Sequence, residues 1–228
     1  MPLTDSAKPR LSAVIITLNV ADRLAACLDS LQGLADEVVV CDGGSTDNTR
    51  ELAEARGARV IVERNWRGFG IQRQRAQVEA RGEWILMIDS DERLTPGLRE
   101  EIHAALNANA PDTAYTLPRL SWVFGRYIRH SGWWPDHVLR LYRRKHGGYN
   151  DALVHEWVEL VNGIRVRKLT QPLLHHTYRD MHEYLVKSAG YAAAWAQQRK
   201  AAGRKASIAS GLTHALSCFL RMYVLRVG

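Results

Sequence analysis

Cysteine is scarce in this 228-residue chain: Cys27, Cys41 and Cys218 are odd in number and far apart. No CxxC pair offers zinc a site, and so low a thiol content suits a reducing cytoplasm. Cys27 and Cys41 fall in apolar stretches. Met1 to Arg10 is short and polar, without the apolar core of a secretory leader, so no export signal is expected. No uninterrupted apolar run reaches ~18 residues, which argues against a membrane-spanning helix. Internal repeats and low-complexity segments are missing too. What is present is globular material. Hydrophobic residues make up 46% of the chain, enough for a full core. The length fits one α/β domain with a tail, or one and a half domains.

The net charge of +7 is uneven. From His175 onward there are eight Lys or Arg against two Asp or Glu, so residues 1–174 are close to neutral. A basic tail on a neutral body points to an anionic surface, membrane lipid or nucleic acid.

The first half alternates strand and helix patterns. Leu11–Thr17 is a continuous apolar run of strand length, and residues 21–32 set Leu24, Leu28 and Leu31 on one helical face. Residues 37–41 and Arg59–Val62 are short β-rich strands, and 83–88 is a third. Residues 46–56, with Ser45 or Thr46 as cap, and residues 70–80 have helical patterns. Thr95 caps a further helix whose first position is Pro96. Buried strands with helical crossovers predict a mostly parallel, doubly wound sheet, which binds ligands at the carboxyl ends of its strands. Three polar clusters fall at such ends: Thr17-Leu18-Asn19, Asp42-Gly43-Gly44-Ser45-Thr46-Asp47 and Asp89-Ser90-Asp91-Glu92. After Ala110 the chain becomes rich in Trp and Arg, as longer antiparallel or irregular pieces would be. From Met181 it reads as helix, broken near Gly203. Three segments result: 1–110, 111–176 and 177–228.

Asp89 and Asp91 leave their strand at alternate positions. Both carboxylates can reach one Mg²⁺ or Mn²⁺, ions that prefer few protein ligands plus phosphate oxygens. On spacing alone, an acidic loop leading into a helix is equally good. An EF-hand is excluded, because the further ligands and glycine are missing at the required spacing. For Asp42 to Asp47, a simple strand-to-helix turn is the better reading of the residues by themselves.

The ordered set TLN, VVVCDGGSTDNT, GFGIQRQRA and GEWILMIDSDE resembles the family 2 glycosyltransferases with the GT-A fold, over roughly residues 11–110. The resemblance implies a Rossmann-like, mostly parallel α/β sheet with an acceptor-side region, and inverting transfer from a nucleotide-sugar. By similarity, Thr17, Asn19 and Asp42 line the nucleoside pocket, Asp89 lies near the ribose or the metal, and Asp91 binds the metal. Arg73, or else Arg67, approaches the base or phosphate. Two departures, Val20 and Gln74, fall at the nucleotide edge. Inverting transfer needs a general base for the acceptor hydroxyl. The stretch Tyr142-Arg143-Arg144, Gly148-Tyr149, Asp151 and Leu153 to Trp157 puts Glu156 in its place, beside His155, with Asp136 as second choice.

The segments GWWPDHVLRLYRR, VHE and LLHHTY are similar to one subgroup, the lipopolysaccharide core glucosyltransferases that modify inner-core heptose. That similarity implies UDP-glucose as donor and a lipid-linked saccharide as acceptor. Trp133 and Trp134 then stack on an acceptor sugar or fill the core. Arg126, Arg129, Arg140, Arg143 and Arg144 then face acceptor phosphates or solvent. His175 and His176 are further candidates as metal ligands, though such pairs more often do nothing catalytic.

The apolar stripe Ile208, Leu212, Leu216, Phe219, Leu220, Tyr223, Val224 and Val227 follows Arg199, Lys200, Arg204 and Lys205. It reads as a helix lying on the inner face of the bacterial cytoplasmic membrane. The rival is packing on the body or on a second subunit, so an oligomer is allowed. Relatives of this kind run on past such a point, so the docking region is expected to extend beyond residue 228. Two other function classes fit the residues less well. A sugar-nucleotide nucleotidyltransferase needs a Gly-rich loop after the first strand, where this chain has Thr17 to Val20. A nucleic-acid-binding module leaves the strand-end acids unexplained, so no nucleic-acid partner is expected.

Overall fold

The computed structural model describes residues 9–205 and 207–225. The chain runs β1 (Leu11–Thr17), α1 (Ala21–Leu31), β2 (Glu37–Asp42), α2 (Thr49–Ala55), β3 (Arg59–Val62), α3 (Phe69–Glu79), β4 (Trp84–Met87), β5 (Glu92–Leu94) and α4 (Pro96–Ala108). The second half adds β6 (Thr113–Val123), β7 (Arg126–Tyr127), β8 (Asp136–Arg143), β9 (Gly147–Tyr149), β10 (Val158–Leu160), β11 (Arg165–Lys168) and β12 (Leu173–Tyr178). Two helices follow, α5 (Met181–Ala201) and α6 (Ile208–Phe219), and a π-helical turn, Leu220–Leu225, continues the latter.

One sheet, in the order β3-β2-β1-β4-β8-β6-β12-β5, runs through both halves of the chain. The strands β3, β2, β1 and β4 are parallel, β8 is antiparallel to both β4 and β6, and β12 is parallel to β6. β9 and β10 form a separate antiparallel pair. The parallel strands are apolar on both faces because both are covered. Leu11, Ala13 and Ile15 pack with Leu24, Leu28 and Leu31 of α1. Val14, Val39, Ile85 and Met87 pack on the other face against Ala76 of α3. Each fully buried aliphatic side chain of this kind contributes ~1.5–3 kcal/mol. The strand order reverses at β1, with β2 on one side and β4 on the other. The carboxyl ends of these three strands therefore open onto one crevice.

Most of the expected elements form. Thr95 caps α4, its Oγ1 accepting from the Leu98 N–H at 3.2 Å, with Pro96 first in the helix. One expectation is corrected, and two features are added. α2 starts at Thr49, not residue 46, because Ser45 and Asp47 spend their side chains on other loop groups. Glu92–Leu94, part of the segment for which a helix-leading loop is one of two readings, is a strand, because it pairs with β12 from far along the chain. Ile208–Leu225 forms an 18-residue helical segment of mean hydropathy 1.3, long and apolar enough to cross a membrane by length and composition alone. Thr213, His214, Ser217 and Arg221 interrupt its apolar run without lowering the average far.

Candidate active site

The first wall is knitted from the ends of β1 and β2. Asp42 is fully buried; its Oδ1 accepts from the N–H groups of Gly44 (2.9 Å) and Ser45 (2.7 Å), and its Oδ2 from Thr17 Oγ1 (2.9 Å) and Ser45 Oγ (2.5 Å). Asn19 adopts a left-handed conformation, φ 52°, which Asn tolerates well. Its N–H donates to Ser45 Oγ at 2.8 Å, and its Oδ1 accepts from the Thr46 N–H at 2.8 Å. The three residues expected around a nucleoside thus meet. Asp42, however, lies one layer beneath the surface and shapes the loop, while Leu18 and Asn19 face outward.

The second wall is an ion network at the end of β4. Asp89 is gripped by two buried arginines: Arg73 Nη2 donates to Oδ1 at 2.6 Å and Arg140 Nη2 to Oδ2 at 2.5 Å. Arg140 also donates to Glu92 Oε1 at 2.9 Å, and the Asp89 N–H donates to Glu92 Oε2 at 2.8 Å. Glu92 is fully buried, so Arg140 is what makes its charge tolerable. Burial would raise the Asp89 carboxyl, but Arg140 and then Arg73 overcome it and hold it far below the usual carboxylate range. Each Asp89 oxygen is thus engaged by a guanidinium group, and the two arginine charges already offset its own.

Asp91 has the opposite setting. Burial first, then the charge of Asp89, push its carboxyl up to about 6. His175 Nε2 lies 3.7 Å from Asp91 Oδ1, while its Nδ1 sits 3.1 Å from Ser121 Oγ. Burial and then Arg119 push the His175 ring down to about 4, so it is neutral at pH 7 and able to ligate. Two cations flank the same carboxylate: Lys187 Nζ at 3.9 Å and Arg23 Nη1 at 4.0 Å. Among the described residues, no three His, Cys, Asp or Glu side chains gather as a metal cage. His176 turns away and packs on Trp122, ring centroids 5.6 Å apart.

Glu156 is tied to the same network, its Oε1 accepting from Arg73 Nε at 2.8 Å. Its loop is held against α3, where the N–H groups of Phe69 and Gly70 donate to the carbonyls of Leu153 and Ala152, both at 3.1 Å. Gln74, expected at the nucleotide edge, instead donates to Tyr149 O and Asp151 Oδ1, both at 2.7 Å. Asp136 lies apart from Glu156 in the bonding pattern, paired with Arg119 at 2.6 Å. A cavity of about 330 Å³ opens beside it, lined by Trp133, Arg119, Ser121, His175 and Met222 among others. Of the five arginines expected at acceptor phosphates, three point elsewhere. Arg140 holds Asp89, Arg143 is buried over Trp84 and bonded to Asn109, and Arg144 donates to Gly82 O. Arg129 stacks on Trp134. Arg67 is exposed and outside the network.

Three participants take roles that the sequence did not indicate. Arg140, a candidate for acceptor phosphates or solvent, is a buried partner of Asp89, and Glu92, part of the strand-end cluster, is buried beneath it. Helix α5 read only as tail, yet it joins the cleft. Its Glu183 accepts from Arg23 Nη2 at 2.8 Å, and its Tyr191 stacks between Phe69 and His155.

Residues 12–177 match the glycosyl transferase family 2. The lipopolysaccharide core biosynthesis glycosyltransferase LpsC of Rhizobium meliloti is 32% identical over 93% of this chain and 80% of its own length. An uncharacterized glycosyltransferase of Rickettsia bellii is 27% identical over 95% of this chain and 76% of its own. Among solved structures, S. aureus TarS 1-349 in complex with UDP-GlcNAc superposes with a TM-score of 0.55 at 20% identity. That match covers 77% of this chain and 60% of the TarS chain, so this chain spans less than two thirds of it. The mixed sheet with its parallel half and the crevice at the β1, β2 and β4 ends agree with these likenesses, and the chain belongs to glycosyl transferase family 2, a glycosyltransferase with the GT-A fold.

Proposed function

We propose that this chain transfers glucose from UDP-glucose, with inversion, to a lipid-linked saccharide such as a lipopolysaccharide inner core, at the cytoplasmic face of a membrane. The observation that carries the reading is the division of labour at the end of β4. Asp89 is neutralised by Arg73 and Arg140, while Asp91 is left facing the crevice beside His175. A UDP-sugar donor takes support from the likeness to TarS, which binds UDP-GlcNAc, and the acceptor from the likeness to LpsC, a lipopolysaccharide core biosynthesis glycosyltransferase.

The residues present fit Mg²⁺ or Mn²⁺. Asp91 and His175 supply one carboxylate and one neutral imidazole, the latter oriented through Ser121, and the remaining positions suit phosphate and water. When bound, such an ion supplies charge neutralisation for the diphosphate. Thr17, Asn19 and the loop shaped by Asp42 form the nucleoside wall. Glu156 takes the proton of the acceptor hydroxyl as that oxygen attacks the anomeric carbon. The bond from that carbon to the phosphate oxygen breaks, its electron pair leaves on the diphosphate, and an α donor yields a β product. Arg73 links the two ends of this reaction, since one guanidinium binds both Asp89 and Glu156. The cavity beside Trp133 and Asp136 suits the acceptor sugar.

The membrane part rests on charge and exposure. From Tyr184 to Leu225 the sequence has no Asp or Glu. Ile208, Leu212, Leu216 and Phe219 are all more than half exposed. Apolar side chains flanked only by cations match an anionic lipid surface.

The test is release of nucleoside diphosphate from a panel of donors, with and without Mg²⁺ or Mn²⁺. Release from UDP-glucose in the presence of acceptor and ion is expected. Glu156→Gln should lower turnover by ~10²–10⁴-fold while donor still binds. Normal turnover in that variant would transfer the base role to Asp136.

A further inference from the structure

Helix α5 lies outside the residues that match the family, 12–177. It nevertheless delivers an ammonium group to the crevice. Lys187 Nζ donates to the carbonyl of Thr177 at 2.9 Å and sits 5.5 Å from the centroid of the Tyr178 ring. It lies 3.3 Å from Glu183 Oε1 and 3.9 Å from Asp91 Oδ2, the latter too long for a hydrogen bond. The side chain is one-third exposed, so the crevice reaches it. Its stem is held, yet its three N–H donors are not exhausted by Thr177 and Glu183. Arg23 approaches Asp91 from α1 through Nη1, and its Nε and Nη2 are held by Asp22 and Glu183, which fixes the plane of its guanidinium.

We propose that Lys187 binds the donor diphosphate directly and neutralises the negative charge that appears on it when the bond to the anomeric carbon breaks. This inference rests on the donor reading above. The bond cleavage transfers one electron pair to a phosphate oxygen, so the leaving group gains one full negative charge beside Asp91, itself an anion. Stabilising that charge requires a cation already in place with a free donor. Arg73 and Arg140 are buried and anchored on Asp89 and on Glu156 or Glu92, and Arg73 Nη1 and Arg140 Nε, which have no partner, are themselves buried. Among the cations around Asp91, Lys187 is the one whose position is set by a carbonyl and an aromatic face, with only a carboxylate contact to exchange. Held by α5, it also connects the chemistry to the helix that leads into the tail.

The experiment compares the whole chain with Lys187→Met and Lys187→Arg. Binding of UDP and of UMP is measured by calorimetry, and turnover by diphosphate release. Lys187→Met should weaken UDP by ~10-fold or more, the worth of one charge-assisted hydrogen bond. UMP, which lacks the second phosphate, should bind as before. Turnover should fall by ~10²-fold, as when one transition-state donor is lost. Lys187→Arg should recover most of both. Equal losses for UDP and UMP, or no loss for either, would overturn the assignment of Lys187. A wild-type chain that binds neither nucleotide would overturn the donor reading instead, which separates the two failures.

Discussion

Asp89 and Asp91 stand two positions apart, and their surroundings give them opposite properties. Asp89 is buried but bracketed by Arg140 and Arg73, so its charge is stabilised. Asp91 is buried without a hydrogen-bonded cation, and its carboxyl rises to about 6. A carboxyl raised on folding favours the native state most below its unfolded pKa, ~3.9, and that contribution is lost as pH rises through 6. At pH 7 the charged form then costs the fold about 3 kcal/mol. Asp91→Asn should therefore raise the Tm by several degrees at pH 7.5, with the gain vanishing near pH 4, where Asp91 is itself protonated. The same variant should abolish transfer. Melting curves at the two pH values, with diphosphate release at the higher, check both halves. An unchanged Tm at pH 7.5 would mean that Lys187 and Arg23 offset the burial fully.

At the scale of elements, the crevice depends on how closely α3 meets the loop that carries Glu156. Gly68 has φ 108°, a conformation that favours glycine, and a Cβ there would come 2.8 Å from Leu153 Cα. A Cβ on Gly70 would land on the Asn150 carbonyl oxygen. Neither neighbour is a flexible tip, so backbone has to move. Gly70→Ala should cost at least ~1–3 kcal/mol in urea unfolding. Turnover should drop as well, because the Arg73–Glu156 contact depends on that same approach. Stability lost without any change in turnover would separate the loop from the chemistry. The elements legible beforehand are those set by local chemistry. The apolar run of β1 and the Thr95-Pro96 start of α4 form where the residues place them. The late start of α2 and the strand β5 escaped, since each depends on partners distant in sequence. Ser45 is drawn to Asp42 and Asn19, and Glu92–Leu94 to β12.

For the molecule as a whole, the tail is the segment least bound to the rest. No side chain of α6 is buried, and the turn that follows it reaches the body through Met222 at the cavity beside Trp133, whereas α5 is tied through Glu183, Lys187 and Gln198. Deleting Arg204 to Gly228 should leave the sheet folded and the near-neutral body soluble. It should also abolish co-sedimentation with vesicles containing anionic phospholipid. In the full chain, raising salt should weaken the same binding, since part of it is screened charge attraction. Retention of the truncated chain on such vesicles would remove the membrane assignment from the tail.

Local pattern and residue order determined the parallel half-sheet, the crevice at its carboxyl edge and the three polar clusters there, because these follow from hydrophobic periodicity and turn chemistry within short windows. Tertiary structure alone decided what each charged group does. Whether Asp89 meets an ion or an arginine depends on Arg73 and Arg140, which come from elements 16 and 51 residues away. Spacing marked Asp89 and Asp91 as alike; burial and the placing of those cations make one a neutralised anchor and leave the other facing the crevice.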